Sequence, residues 1–284
     1  MGGALTGLAA AAFSSSAVAV PPIEIVAPNE WQLPYFNTPT NIIMQTGIYQ
    51  TNNRAYNSNG DNVKGPGGTT VEGITRFAHA WSTDNNNVGM FWEALVPEVW
   101  QSMPNGNDVS GMGDPIFDYT IYKKPTKDSL IGFQNLVSIP VGSSEVSNHA
   151  WIEMPAVIAN YGIGKWDFNG TFGAGIFSSA TSPGCGLDNC GLSLGNIYYA
   201  DVSAGYQITP VVEVALMDTW QITEPGHVRA THSYLQGNFV NDIAPVVRIN
   251  FRPTTWLSLW YYNSTNGRNS TKTNALMFRF VDIL

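Results

Sequence analysis

Along Trp166-Asp167-Phe168-Asn169-Gly170-Thr171-Phe172-Gly173-Ala174-Gly175-Ile176, large apolar side chains and polar or small ones take turns. Trp166, Phe168, Phe172, Ala174 and Ile176 fall on one face. Lys165, Asp167, Asn169 and Thr171 fall on the other. Only a strand changes face at every residue, so the segment is a two-faced strand and not a helix. The pattern recurs: Tyr198, Ala200, Val202, Ala204 and Tyr206 oppose Tyr199, Asp201, Ser203 and Gln207. Val212, Val214, Leu216, Trp220 and Ile222 oppose Glu213, Thr219 and Gln221, and Val247, Ile249 and Phe251 oppose Arg248, Asn250 and Arg252. Trp256 to Tyr262 is apolar on both faces and takes no assignment. A run of such strands, greasy outside and wet inside, spans a membrane without an unpaired edge.

The composition agrees. Only 12% of residues are charged while 12% are aromatic, against about 25% charged in an average soluble chain. Beyond the N-terminus no apolar run approaches the roughly eighteen residues of a membrane helix. The net charge of −8 and the lack of a basic cluster exclude nucleic acid as a partner.

About twelve strands are expected, at 41–51, 69–82, 87–102, 113–123, 128–141, 148–161, 165–178, 195–207, 210–222, 240–252, 255–262 and 271–283. Links after odd-numbered strands are mostly long and those after even-numbered ones tight. Outer-membrane barrels show this asymmetry, with short periplasmic turns and long external loops. The expectation is therefore an all-β protein: a transmembrane, antiparallel up-and-down barrel over 41–284, with both termini on the periplasmic side. Pro97, Pro140, Pro155 and Pro245 interrupt the proposed strands, because each lacks a ladder donor.

Residues 1–19 read as a signal peptide, with an apolar core at 5–13 and Ala17-Val18-Ala19 as a small-x-small cleavage site, although no Lys or Arg precedes the core. Residues 20–40 form an extended mature N-terminus. Cys185 and Cys190, the two cysteines of the chain, lie in a glycine-rich external loop and can close a small disulfide ring.

Three stretches carry a family resemblance: Thr46-Gly47-Ile48-Tyr49-Gln50-Thr51 leading to Asn59-Gly60-Asp61, Ser110-Gly111-Met112-Gly113-Asp114-Pro115, and Ser138-Ile139-Pro140-Val141-Gly142-Ser143. From Thr46 to Leu284 the chain resembles the outer-membrane channels associated with the meta-pathway of phenol degradation. The matching segments there are a first aromatic strand, a Gly-x-Gly-Asp strand opening and a Pro-x-Gly hairpin. The resemblance implies a channel for aromatic or other small hydrophobic compounds and transfers no catalytic residue. One departure is the C-terminal strand, where Asp282 shares the face of Phe278, Phe280 and Leu284 and interrupts the usual aromatic ending.

Arg76, Glu93, Asp118, Glu153, Lys165, Asp167, Asn169, Tyr199, Asp201, Glu213, Arg248 and Arg279 are the candidate lumen-lining residues. Either they set the selectivity of a water-filled path, or they pair across a narrow, plugged interior; a barrel of about twelve strands lies between filled and open sizes. Their acidic excess favours cations or neutral solutes. Most tryptophans are expected in interfacial girdles. His79, His149, His227 and His232 lack metal-ligand spacing, so neither metal nor cofactor is expected. His232-Ser233 and Asn148-His149 are the seeds of a Ser-His lipid hydrolase, but neighbours on a strand point apart, and no Gly-x-Ser-x-Gly elbow occurs. The reading is a non-enzymatic channel of the bacterial outer membrane for passive uptake of small molecules. Its expected partners are the lipid bilayer, small solutes and the barrel-assembly machinery. The alternatives are a structural or adhesive barrel acting through its loops, a lipid hydrolase, and a soluble lipocalin-like or sandwich protein with its aromatic face turned inward.

Overall fold

Period-two alternation calls for strands that bury one face and offer the other to lipid, and the computed structural model is built this way. It describes residues 30–83, 88–102, 104, 106, 108–178, 180–181, 191–228 and 233–284. The wall consists of β1 (Thr40–Thr51), β2 (Thr69–Ser82), β3 (Gly89–Ser102), β4 (Ile116–Lys123), β5 (Ser129–Ser138) and β6 (Ile152–Ile163). It continues with β7 (Trp166–Phe177), β8 (Ile197–Gln207), β9 (Val212–Thr223), β10 (Asn238–Arg252), β11 (Thr255–Arg268) and β12 (Asn274–Ile283). Each strand pairs antiparallel with the next. β12 then pairs with β1 from Ile42↔Ile283 to Gln50↔Ala275, which closes the barrel and removes every edge. The expected all-β, twelve-stranded up-and-down barrel is the fold that forms. No helix among the described residues is long and apolar enough to cross a membrane; crossing falls to the strands.

The outer face is a continuous apolar surface. Phe77, Phe117, Phe133, Val157, Phe172, Leu216, Val247, Leu259 and Phe278 are each exposed by 39% or more, which in this setting means exposed to lipid. Trp166, Tyr161, Tyr49, Trp100 and Trp151 extend it toward the two interfaces. Phe278 and Phe280 face outward, while Asp282 sits at the rim and accepts a hydrogen bond from Thr255 Oγ1 at 2.7 Å. The rim places that carboxylate where a charge costs little.

The three prolines that fall within strands sit where a ladder is interrupted. Pro155 lies between the pairs Ala156↔Gly173 and Glu153↔Ile176, and Pro245 between Ile243↔Asn263 and Val246↔Trp260. Pro97 faces the break between Val109–Met112, which also pairs with β3, and β4. That break shortens the expected 113–123 strand, because Gly113-Asp114-Pro115 leaves the ladder. Pro140 lies beyond the end of β5 instead of inside it. β11 runs to Arg268, well past the expected 262, so the β11–β12 link is only residues 269–273.

Long links carry small sheets at one end of the barrel. Arg54–Tyr56, Asn62–Lys64 and Ser270–Thr271 form one; Ala180–Thr181, Gly191–Ser193, Gly226–Val228 and Ser233–Leu235 form another. The opposite end is closed by tight turns such as Gly164-Lys165, where Gly164 adopts a φ of 61° that disfavours a side chain. Residues 1–19 and the Cys185–Cys190 segment lie outside the described residues.

Candidate functional site

Inward-facing residues follow a rule within the two-residue rule. On β2, Ala80 and Ala78 are followed by Arg76 and then Ile74; on β3, Phe91 by Glu93 and then Leu95. On β12, Val281 is followed by Arg279 and then Met277; on β1, Met44 by Thr46 and then Ile48. The lumen thus has three layers. An apolar cluster near the tight-turn end contains Ile42, Met44, Ala78, Phe91, Tyr122, Leu130, Ile158 and Val281. A second apolar cluster toward the loop end contains Ile48, Ile74, Leu95, Ile116, Leu136, Met154, Trp260 and Met277. Between them lies a polar belt.

The belt is densely paired. Arg76 donates to Glu93 through Nε at 3.1 Å and Nη2 at 2.5 Å, both residues being almost fully buried. Asp118 accepts from Gln134 Nε2 at 2.8 Å and from Thr120 Oγ1. Arg279 donates to Thr46 Oγ1 at 2.8 Å and lies 5.9 Å from the Trp260 ring. Charges this deep persist only when paired and hydrogen-bonded, and removing one partner costs about 3–5 kcal/mol.

The segment before β1 completes the interior. Residues 20–40, expected as an extended N-terminus, are described from Glu30, and from Phe36 back to Glu30 they climb into the barrel. Phe36 N donates to Ser82 Oγ at 2.9 Å, and Tyr122 OH donates to Pro34 O at 2.5 Å. Lys124, in the tight turn after β4, donates to Leu33 O at 3.0 Å; burial there holds its ammonium below the usual lysine pKa, partly offset by Asp128. Trp31 is 1% exposed, its backbone N–H donating to Asn169 Oδ1 at 3.2 Å and its indole N–H to Thr171 Oγ1 at 2.8 Å. The Glu30 carboxylate is held by Arg76 at 2.9 Å and Arg279 at 3.0 Å.

Most of the candidates drawn from the sequence meet here. Arg76, Glu93, Asp118, Asn169, Tyr199, Asp201, Glu213 and Arg279 all face inward and are buried. Asp167, half-buried near the turn, accepts from Asn160 Nδ2 at 2.8 Å and from the Asn169 amide. Arg248 Nη1 lies 3.9 Å from Glu213, donates to Gln32 Oε1 at 3.0 Å, and its guanidinium is 4.4 Å from the Trp256 ring. Two candidates are corrected. Lys165 occupies the exposed β6–β7 turn, its ammonium 5.9 Å over the outward-facing Tyr206 ring, because β7 starts one residue later. Glu153 follows Ile152 into β6 on the outer face and accepts from Asn135 Nδ2 at 3.2 Å. Trp256, Trp260 and Tyr262 turn inward, which assigns the stretch that was apolar on both faces. Glu30, Trp31 and Gln134 were missed. The apolar–polar–apolar rhythm of the inward positions marks the belt in the sequence, but nothing local marks a segment outside the strands as its partner.

Next to Trp31 is a cavity with room for about one water, lined by Asn169, Thr171, Asp201, Ser203 and Met217. Both Asp201 carboxylate oxygens and the Tyr199 hydroxyl are buried without a hydrogen-bond partner. Such groups are costly unless water or a solute satisfies them.

The two glycine-centred motifs also meet. Asp114, 2% exposed, accepts the backbone N–H of Gly142 at 3.0 Å and of Asn148 at 2.8 Å. A side chain on Gly142 would strike the Gly113 backbone at 2.7 Å, so the 139–151 loop packs this closely on Gly113 only because position 142 is glycine.

Comparison with known proteins agrees with this architecture. An outer-membrane channel from Pseudomonas putida F1 superposes with a TM-score of 0.80 at 18% identity, covering 91% of this chain and all of that one. The translocator domain of the autotransporter NalP from Neisseria meningitidis gives 0.52 at 10% identity, covering 87% and 88%. No curated protein matches the chain. With its closed wall and lipid-facing apolar surface the protein is a barrel of the bacterial outer membrane. The family model described as "Putative MetA-pathway of phenol degradation" matches residues 52–280, and the chain belongs to that family.

Proposed function

We propose that the barrel is a channel for passive uptake of small aromatic or hydrophobic molecules, closed at rest by residues 30–36. The observation that carries this reading is the three-layered lumen. Two apolar clusters offer contacts to an uncharged ring, and the belt between them restricts what passes. A barrel needed only as an anchor gains nothing from eight or more buried polar and charged groups at its centre, because each costs desolvation. The P. putida protein of like fold is described as an outer-membrane channel, and the family description names phenol degradation. Both support the reading. The barrel-assembly machinery as a folding partner, removal of residues 1–19 and a Cys185–Cys190 bridge in an external loop belong to the same proposal.

A lipid hydrolase is less well supported. His149 Nε2 lies 3.1 Å from the Ser144 backbone oxygen, and the His149 backbone N–H donates to Ser147 Oγ at 3.0 Å; neither contact pairs an imidazole nitrogen with a hydroxyl nucleophile. His232 lies outside the described residues.

The test is single-channel conductance of the refolded protein in a planar bilayer, with and without phenol. Discrete steps that phenol blocks are the expected result. Silence from inserted protein, persisting when residues 1–36 are deleted, would overturn the channel.

A further inference from the structure

Glu30 and Trp31 are consecutive residues of a segment that forms no part of the wall, yet they fill the most specific seats in the lumen. Each Glu30 oxygen meets a different guanidinium, Arg76 on β2 at 2.9 Å and Arg279 on β12 at 3.0 Å, the two strands flanking β1. Their side chains are 2% and 3% exposed, and Glu30 itself 13%. The Trp31 ring stacks near Phe91, with centroids 6.4 Å apart, and its N–H points to Thr171 Oγ1. Side by side the pair presents a carboxylate, an aromatic ring and a donor on the edge of that ring.

We propose, resting on the channel reading, that these seats form a binding site for an aromatic monocarboxylate carrying a ring hydroxyl, and that Glu30-Trp31 occupies it as an internal stand-in. Arg76 and Arg279 take the carboxylate, a planar match that guanidinium groups make well. Phe91 and the surrounding apolar side chains take the ring. The ring hydroxyl replaces the indole N–H as donor to Thr171, with the unpartnered oxygens of Asp201 lining the same cavity. The acidic remainder of the lumen sharpens the choice. Glu93, Asp118 and Asp201 repel a second carboxylate, so a dianion is refused where a monoanion is held.

Exchange is feasible because residues 30–36 contribute no strand to the wall and are held by side-chain contacts and a few backbone oxygens. Segments with few ladder bonds sit at the low end of local stability. A ligand that reproduces the carboxylate and ring contacts competes with Glu30 and Trp31 directly.

The experiment is titration calorimetry of the refolded full-length protein in detergent, with 4-hydroxybenzoate and its neutral counterpart 4-hydroxybenzamide. The acid is expected to bind roughly tenfold or more tightly than the amide, the size of one charge-assisted contact. Glu30→Gln, outside the barrel strands, should tighten both ligands by weakening the internal competitor that either must displace, with the acid still ahead. Arg279→Gln should reverse the acid's advantage. Equal affinity for acid and amide, or an acid affinity unmoved by Glu30→Gln, overturns the assignment. Because binding is read without transport, a protein that binds the acid but conducts nothing even with residues 1–36 deleted would refute the channel and keep the site; one that conducts but ignores the charge would do the opposite.

Discussion

The outer face of the wall and its lumen are carried by the same strands and set by the same two-residue period, yet they are organised differently. Outside, the requirement is one-dimensional: every second residue meets hydrocarbon, and almost any large apolar side chain serves, whether Phe172, Leu216 or Phe278. Inside, identity matters at each height. Arg76 on β2 finds Glu93 on β3, Asp118 on β4 finds Gln134 on β5, and Glu30 arrives from outside the wall altogether. A solvent-like surface tolerates substitution within a class, whereas a buried polar network fails when one member is lost. The wall is specified by pattern and the lumen by partners.

Five substitutions probe that contrast. The largest effect is expected from Trp31→Ala, which removes a fully buried indole from a segment with no ladder of its own. Such truncations cost about 3–5 kcal/mol, enough to undock residues 30–36. Conductance should rise while the heat-modifiable mobility of the folded barrel stays unchanged; a loss of that mobility would show the segment to be part of the fold and not a closure. Phe172→Arg puts a cation on the lipid face near mid-strand, where the cost is about 2–4 kcal/mol. Thr171→Arg, one residue away but inward, should insert normally and disturb Trp31 instead. Matching insertion yields for the two in liposomes would erase the distinction between the faces.

Asp114→Ala comes next. It frees the Gly142 and Asn148 N–H groups, whose bonds to a charged group contribute about 1.5–3 kcal/mol. The 139–151 loop should become sensitive to protease on intact membranes, with the barrel itself resistant. The smallest effect is expected for Lys165→Ala, below about 0.5 kcal/mol as for other exposed sites, with ion selectivity unaltered. A selectivity change there would return Lys165 to the lumen and break the turn assignment.

How much of this was legible varies with the physics involved. Strand identity, faces and the alternation of tight and long links follow from local pattern, so β7, β8 and β9 were readable almost residue by residue. Strand ends were less so: β4 stops short because Gly113-Asp114-Pro115 turns out of the ladder to meet Gly142, a contact made 28 residues along the chain. Lys165 and Glu153 were misplaced for a related reason. A polar residue beside a strand signals its face only when the strand's start is known to the residue. The motifs carrying the family resemblance were visible as glycine-centred strings, but their docking through Asp114 was not.

By itself the sequence determined that this chain is a membrane-spanning barrel, because a two-residue period with low charge has few other ways to satisfy every backbone group in lipid. It also determined which charges face inward on most strands. Only the tertiary structure decided what those charges do. Closure of β12 on β1 sets Arg279 opposite Thr46, across β1 from Arg76, which lies opposite Met44 on β2, and the ascent of residues 30–36 lays Glu30 between the two guanidinium groups. The side chains concerned lie up to 249 residues apart in the chain. No local period can encode a pairing whose partners meet only when the barrel closes.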